Sequence, residues 1–280
     1  MKLRAENISF RYPGSEELVL AGADLMIHPG EMLAVIGGNG SGKTTLGLIL
    51  AGAIQPESGD MYINEKRIED PGELRRRAGY LFQDPEDGFL ATSVEREIAF
   101  GPENFGVDTP EIRRRVDELA RDFDLAKIKR DSVAELSGGQ MVRCALAASM
   151  AVRPRLLILD EPDSFLDFEG KRLFWRKVCE LRRQGISIVH ITQSTAAANH
   201  ADRIFEMKSG KLFPINKIDR IQLPPREGLT PGKTAVSARD LDFSYGNKLA
   251  ISDVDIELKR REGLAVLGPS GANSGRFICP

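Results

Sequence analysis

The chain has 280 residues, enough to bury a sizeable core in one or two domains. With 41% hydrophobic and 29% charged residues it is an ordinary globular composition, which excludes a disordered or fibrous chain. A net charge of -2 gives no reason to expect nucleic acid as a partner, and no run approaches the roughly 18 apolar residues of a membrane span, so any membrane role is expected to be peripheral and on the cytosolic side.

In chain order, "MKLRAENISFRY" at the N-terminus alternates as a strand does. "EMLAVIG" (31–37) reads as a buried strand that runs into a Gly-rich loop, and "KTTLGLILAGAI" as the helix after it. "AGYLFQ" (78–83) is a short apolar strand. Residues 109–124 have helical periodicity: Thr109 is expected to cap the helix, Pro110 suits its first turn, and Ile112, Val116, Leu119 and Phe123 share a face. A helix "QMVRCALAASMAV" follows "LSGGQ" (136–140), and "RLLILDEP" (155–162) is an apolar strand ending in two acids. A helix over about 169–184, a buried strand at 186–192 and a hairpin over 201–213 complete the series. Strands alternating with helices imply an α/β fold with a parallel sheet covered on both faces.

Residues 214–234 hold four prolines and little periodicity, and are expected to be a linker. Beyond it the sequence repeats. "AVSARDLDFSYGNKLAISDVDIELKRREGLAVLGPSG" parallels "KLRAENISFRYPGSEELVLAGADLMIHPGEMLAVIGGNG". The expected organisation is one domain over 1–213, the linker, and over 235–280 the incomplete start of a second copy. In that copy Asn273 and Ser274 stand where a working phosphate loop needs Gly and Lys.

"GGNGSGKT" (37–44) fits the phosphate-loop pattern between a strand and a helix. Backbone N–H groups along Gly37, Gly38, Asn39, Gly40, Ser41 and Gly42 suit phosphate oxygens, and the helix N-terminus carrying Thr44 and Thr45 adds positive potential. Lys43 suits the terminal phosphates, and the Thr44 hydroxyl suits Mg²⁺. Asp160 and Glu161 end a buried strand at the edge where open α/β sheets bind ligands. Asp160 suits a metal role and Glu161 suits polarising an attacking water. In "LSGGQ", Ser137, Gly138, Gly139 and Gln140 make a second helix start suited to an anion; with only one Lys-bearing loop present, that site suits the nucleotide of a partner chain.

Over residues 1–213 the chain resembles the ATP-binding-cassette (ABC) ATPases. The Walker A motif is "GGNGSGKT", the Q-loop holds Gln83, the signature is "LSGGQ", Walker B is "LLILDEP" and the D-loop is "SFLD" (164–167). The resemblance implies a P-loop cassette with an N-terminal antiparallel β subdomain, a parallel-sheet core and an inserted α-helical subdomain. It implies ATP and Mg²⁺ as ligands, Tyr12 stacked on adenine, and Gln83 beside the metal and the reacting water. It also implies two cassettes joined head to tail, with Lys43, Gln83, Asp160 and Glu161 of one facing Ser137 and Gly139 of the other. Where this family usually ends a strand in Thr-His, "IVHITQS" places Gln193 at the switch position, and His190 falls on the opposite face.

"FQDPEDGFLATSVEREIAFGPENFGV" (82–107) is similar to the segment after the Q-loop in energy-coupling-factor transporter ATPases, the cobalt- and vitamin-uptake type. The resemblance implies the ATP-hydrolysing subunit of an importer for a vitamin or a transition-metal ion. Its partners would be a second ATPase subunit and transmembrane coupling and substrate-binding subunits, and it would sit on the cytoplasmic side of the membrane. The competing functions are a soluble ABC ATPase acting on ribosomes or DNA, and a regulatory module that binds nucleotide without hydrolysing it. Arg75–Arg77 and Arg113–Arg115 read as solvated helix faces, His28 and His200 as surface residues, and His190 as a satisfied core residue. Cys144, Cys179 and Cys279 lie without metal-type spacing and read as small buried hydrophobes.

Overall fold

In the computed structural model, residues 1–164, 166–216, 232–245 and 248–262 are described. Internal contacts divide the chain into two units, residues 1–165 with 172–220, and residues 166–171 with 221–280.

In the first unit, the alternating strand β1 (Leu3–Phe10) buries Leu3, Ala5 and Ile8. It pairs antiparallel with β2 (Leu20–Ile27). The next strand, β3 (Met32–Ile36), is buried along its whole length and leads into the loop before α1 (Lys43–Leu50). Then β4 (Ser58–Ile63) and β5 (Lys66–Arg67) complete a four-stranded sheet of order β2-β1-β4-β5. After α2 (Gly72–Arg75) and β6 (Ala78–Leu81) come three helices, α3 (Val94–Asn104), α4 (Thr109–Asp122) and α5 (Gly138–Ala151), which pack on one another before the chain returns to the sheet. The return elements are β7 (Leu156–Asp160), α6 (Phe168–Arg183), β8 (Ser187–Ile191), α7 (Thr195–Ala198), β9 (Arg203–Lys208) and β10 (Lys211–Ile215).

The second sheet has the order β10-β9-β3-β8-β7-β6 and is parallel from β9 to β6. Every residue of β3, β7 and β8 is buried, as a strand covered on both faces requires. The register decides where chemistry can occur. Val35 pairs with Ile191, and Asp160 pairs with Ile191. The chain therefore leaves β3, β7 and β8 at one level, and residues 37–44, 160–161 and 192–193 emerge side by side at the carboxyl edge.

Four expectations need correction. Asp108, not Thr109, takes the cap position of α4, and Thr109 is its first helical residue with Pro110 next. Strand β10 runs to Ile215, so Pro214 and Ile215 pair with β9 rather than opening a linker; Pro214 is tolerated on an edge strand. Cys144 is buried but Cys179 is exposed, because the apolar stripe of α6 runs through Phe174, Val178 and Leu181 and the next position points away. Arg115 is not a solvated side chain: it donates to Glu111 and to the Ala151 carbonyl. Residues 217–231 of the expected linker, Cys279 and the remnant phosphate loop from Gly268 lie outside the described residues.

The second unit contains an antiparallel pair, β11 (Thr234–Tyr245) and β12 (Lys248–Lys259). Its local geometry matches that of β1–β2. Asn7 has φ 51° and its N–H donates to Asp24 Oδ1 at 2.8 Å; Asp240 has φ 50° and its N–H donates to Asp255 Oδ1 at 2.9 Å. The Gly22 N–H donates to Ser9 Oγ at 3.0 Å, and at the equivalent place the Asp253 N–H donates to Asp242 Oδ1 at 2.8 Å. Both pairings shift register at this bulge, after Ala5 and after Ala238.

Candidate functional site

The loop after β3 can form because two glycines sit where no side chain fits. A Cβ on Gly37 would lie 2.7 Å from the Met207 carbonyl oxygen. Gly42, at φ 101°, is the cap residue of α1, and a Cβ there would lie 2.8 Å from the Val19 carbonyl oxygen. Lys43 is buried, and its Nζ donates to the carbonyls of Gly37 and Gly38 at 2.9 Å each. Ser41 Oγ is buried and has no hydrogen-bond partner among the described residues. A lone hydroxyl beside a buried ammonium at a helix N-terminus suits an incoming phosphate oxygen.

This loop forms one side of a cavity of about 490 Å³ lined by Tyr12, Val19, Asn39, Gly40, Ser41, Gly42, Lys43, Thr44, Thr45, Gln83, Glu161 and Gln193. Tyr12 is held edge-on by Phe10, with ring centroids 5.0 Å apart, and its hydroxyl lies 3.1 Å from Thr45 Oγ1. Val19 was not anticipated from sequence. It lies just before β2 in a segment with no motif, and only the fold brings it to the loop.

Glu161 follows β7 with φ 45°, a conformation uncommon for a residue with a side chain. Its N–H donates to the Ile191 carbonyl at 2.9 Å, and its carbonyl accepts from the Ser164 N–H and hydroxyl. Glu161 Oε1 accepts from Gln193 Nε2 at 2.7 Å, and the same nitrogen donates to Asn39 Oδ1 at 2.7 Å. A carboxylate only accepts, so Gln193 must present its NH₂ and Asn39 its oxygen. Asp160 is buried, does not line the cavity, and accepts from the Tyr80 hydroxyl at 2.9 Å. Burial and the Asp160 charge both push the Tyr80 phenol well above its ordinary pKa, so it stays protonated and donates.

Ser137–Gln140 do not line this cavity. Ser137 caps α5: its Oγ accepts from the Gln140 N–H, and Gln140 Oε1 accepts from the Ser137 N–H at 2.7 Å. His190 is fully buried against Trp175, with ring centroids 4.7 Å apart, and takes no part in the cavity. Contrary to the expectation of a satisfied core residue, neither ring nitrogen has a hydrogen-bond partner among the described residues. Burial lowers its pKa to about 4, so the ring is neutral.

No group of three His, Cys, Asp or Glu residues that could hold a metal occurs among the described residues. The expected Mg²⁺ donors are instead the Thr44 hydroxyl, the Gln83 amide oxygen and the Asp160 carboxylate. All are hard oxygens, the set that suits Mg²⁺ when phosphate oxygens and waters complete the shell.

The ABC transporter family profile matches residues 20–164. The energy-coupling factor transporter ATP-binding protein EcfA1 of Clostridium perfringens is 37% identical over 217 residues, covering 75% of this chain and 77% of that protein. EcfA1 of Bacillus subtilis is 37% identical over 248 residues, covering 87% and 86%. Among solved structures, cbiO1 from Clostridium perfringens, described as part of the ABC transporter complex cbiONQ, is 32% identical with a TM-score of 0.67, covering 75% of this chain and 86% of that one. The chain belongs to the ABC transporter ATP-binding family, whose cassettes bind and hydrolyse ATP. Within that family its relatives include energy-coupling-factor transporter ATP-binding proteins.

Proposed function

We propose that this chain drives an energy-coupling-factor-type importer for a vitamin or a transition-metal ion, from the cytoplasmic side of the membrane. The observation that carries this reading is the convergence of the Lys43 loop, Glu161 and Gln193 on one cavity. The relatives supply the transporter class. Among the described residues no helix is long and apolar enough to cross a membrane; in this reading the partners are integral membrane subunits and a second ATPase, as the description of the cbiO1 neighbour suggests. In the segment 82–107, Phe82, Leu90, Phe100 and Phe105 are exposed, and they suit an apolar partner surface.

In this reading the loop amides, Ser41 and Lys43 hold the phosphates of ATP, and Tyr12 with Val19 meets the base. Glu161 takes the proton of the attacking water as its oxygen bonds to the γ-phosphorus; the bond to the β-phosphate oxygen breaks and ADP departs. Thr44, Gln83 and Asp160 would hold Mg²⁺, which when bound neutralises phosphate charge. Ser137, Gly138, Gly139 and Gln140, at the capped start of α5, serve the nucleotide of a second cassette. The sequence from 235 onward resembles the start of a second cassette domain, after a first whose last strand ends at Ile215. The bulge shared by β1–β2 and β11–β12 supports that organisation.

The deciding experiment is affinity purification of the full chain from membranes solubilised in detergent, followed by steady-state ATPase assay. The expected result is a complex with an integral membrane protein that turns over Mg·ATP. Ribosomal or DNA association without a membrane partner would favour a soluble ATPase. Tight nucleotide binding without turnover would favour a regulatory module.

A further inference from the structure

Tyr80 stands on β6, three residues before Gln83. Its backbone pairs with Ile158, but its hydroxyl reaches the end of β7 and donates to Asp160 Oδ2 at 2.9 Å. The ring is held on several sides. A Cβ on Gly47 of α1 would come within 3.2 Å of Tyr80 Cε2, so the ring lies against a helix position that carries no side chain. The Phe82 ring is 4.7 Å away, and the Tyr80 carbonyl accepts from Ser149 Oγ of α5 at 2.8 Å. Asp160 is only 3% exposed, so water does little to hold its carboxylate.

We propose that Tyr80 is a positioning residue for ATP hydrolysis, whose hydroxyl holds Asp160 in one orientation for the Mg²⁺–nucleotide complex. The inference rests on the reading of Asp160 as the carboxylate on the metal side. A phenol-to-carboxylate hydrogen bond is charge-assisted and directional. Without it, one oxygen of a buried carboxylate loses its donor. The group is then free to rotate toward another donor, which weakens it as a metal partner. The same bond ties the strand that leads to Gln83 to the strand that delivers Asp160. Two expected metal donors therefore share one mechanical link.

The test compares wild type, Tyr80→Phe and Asp160→Asn as full chains. The readout is equilibrium binding of a fluorescent, non-hydrolysable ATP analogue, first in EDTA and then across a Mg²⁺ titration, with thermal melting alongside. Tyr80→Phe removes one oxygen and keeps the ring against Gly47, so the fold should stand. The expected result is binding in EDTA within about twofold of wild type and a Mg²⁺ midpoint raised by about tenfold or more, the usual scale when a partner behind a metal ligand is lost. A merely structural role would lower the melting temperature and leave the Mg²⁺ midpoint in place. If Asp160→Asn moves the midpoint and Tyr80→Phe does not, the role of Tyr80 is overturned while the metal reading stands. If neither variant moves it, the metal reading fails and this inference fails with it.

Discussion

Gln193 Nε2 lies 2.7 Å from Glu161 Oε1 and, with its other hydrogen, 2.7 Å from Asn39 Oδ1. One neutral amide thus links the end of β8 to the candidate base and to the phosphate loop. The arrangement holds Glu161 in place and ties it to the phosphate loop. An amide cannot take a positive charge or relay a proton as an imidazole can.

Gln193→His should therefore raise steady-state ATP hydrolysis by about tenfold or more, within the range of an acid–base group. Nucleotide affinity should change little. The comparison is turnover at saturating Mg·ATP and matched protein concentration. A variant no faster than wild type would show that the glutamine already serves the switch position fully.

Glu161 and Lys43 should separate chemistry from binding. In Glu161→Gln the side-chain oxygen can still accept from Gln193, so the site should keep its shape and bind ATP. Hydrolysis should fall by roughly 10²–10⁴-fold, the scale of a lost general base. Lys43→Ala removes the buried ammonium beside the lone Ser41 hydroxyl and should abolish tight Mg·ATP binding. Calorimetric titration of both variants decides it: unchanged affinity in Lys43→Ala, or normal turnover in Glu161→Gln, contradicts the assignment.

Much of this site is legible in the sequence because its chemistry is carried by short contiguous segments. A buried strand, a Gly-rich loop and a helix specify residues 37–45 without reference to the rest of the chain. Asp160 and Glu161 are legible for the same reason, as acids ending an apolar run. What the sequence could not convey is the coupling between strands. That Gln193 meets Glu161 and Asn39 depends on β8 lying between β3 and β7 in one register. The Tyr80 bond to Asp160 spans 80 residues, and Val19 carries no motif at all. The unsatisfied nitrogens of His190 were missed because a polar residue in an apolar strand is ordinarily assumed to find a partner.

His190 makes stability depend on pH in a direction that can be fixed. Its folded pKa is about 4, below the value near 6.5 expected for an unfolded chain. Above pH 6.5 the ring is neutral in both states and carries no penalty. As pH falls from 6.5 to 4, only the unfolded chain binds the proton, and stability should drop by an amount on the order of 3 kcal/mol. Below the folded pKa the loss from this group levels off. His190→Leu removes both orphaned nitrogens, so its stability should be within about 1 kcal/mol of wild type at pH 7. It should lose much less between pH 6.5 and 4. Trp175 packs on His190 and is the one tryptophan of the chain, so its fluorescence in urea titrations reports the transition. Equal pH slopes for the two proteins would remove His190 from the account.

Ser137 has a role within its own chain, as the cap of α5, and a proposed role toward the nucleotide of a second cassette. One substitution separates them. Asp is as good a cap as Ser, because its carboxylate accepts from the same backbone N–H and favours the positive end of the helix. Ser137→Asp should therefore melt within a few degrees of wild type, whereas Ser137→Ala should lose about 1 kcal/mol with the cap. In a paired cassette the ordering changes. The introduced carboxylate would set a negative charge against the terminal phosphates of the partner's ATP, and like charges at close range in a site poor in water repel strongly. Ser137→Asp should then keep its fold and bind ATP in its own cavity, which Ser137 does not line. It should fail to form the ATP-dependent dimer and should hydrolyse little. Size-exclusion chromatography with ATP, on a background of Glu161→Gln to hold the nucleotide, makes the measurement. If Ser137→Asp dimerises as readily as the Glu161→Gln parent, Ser137 is a helix cap and nothing more.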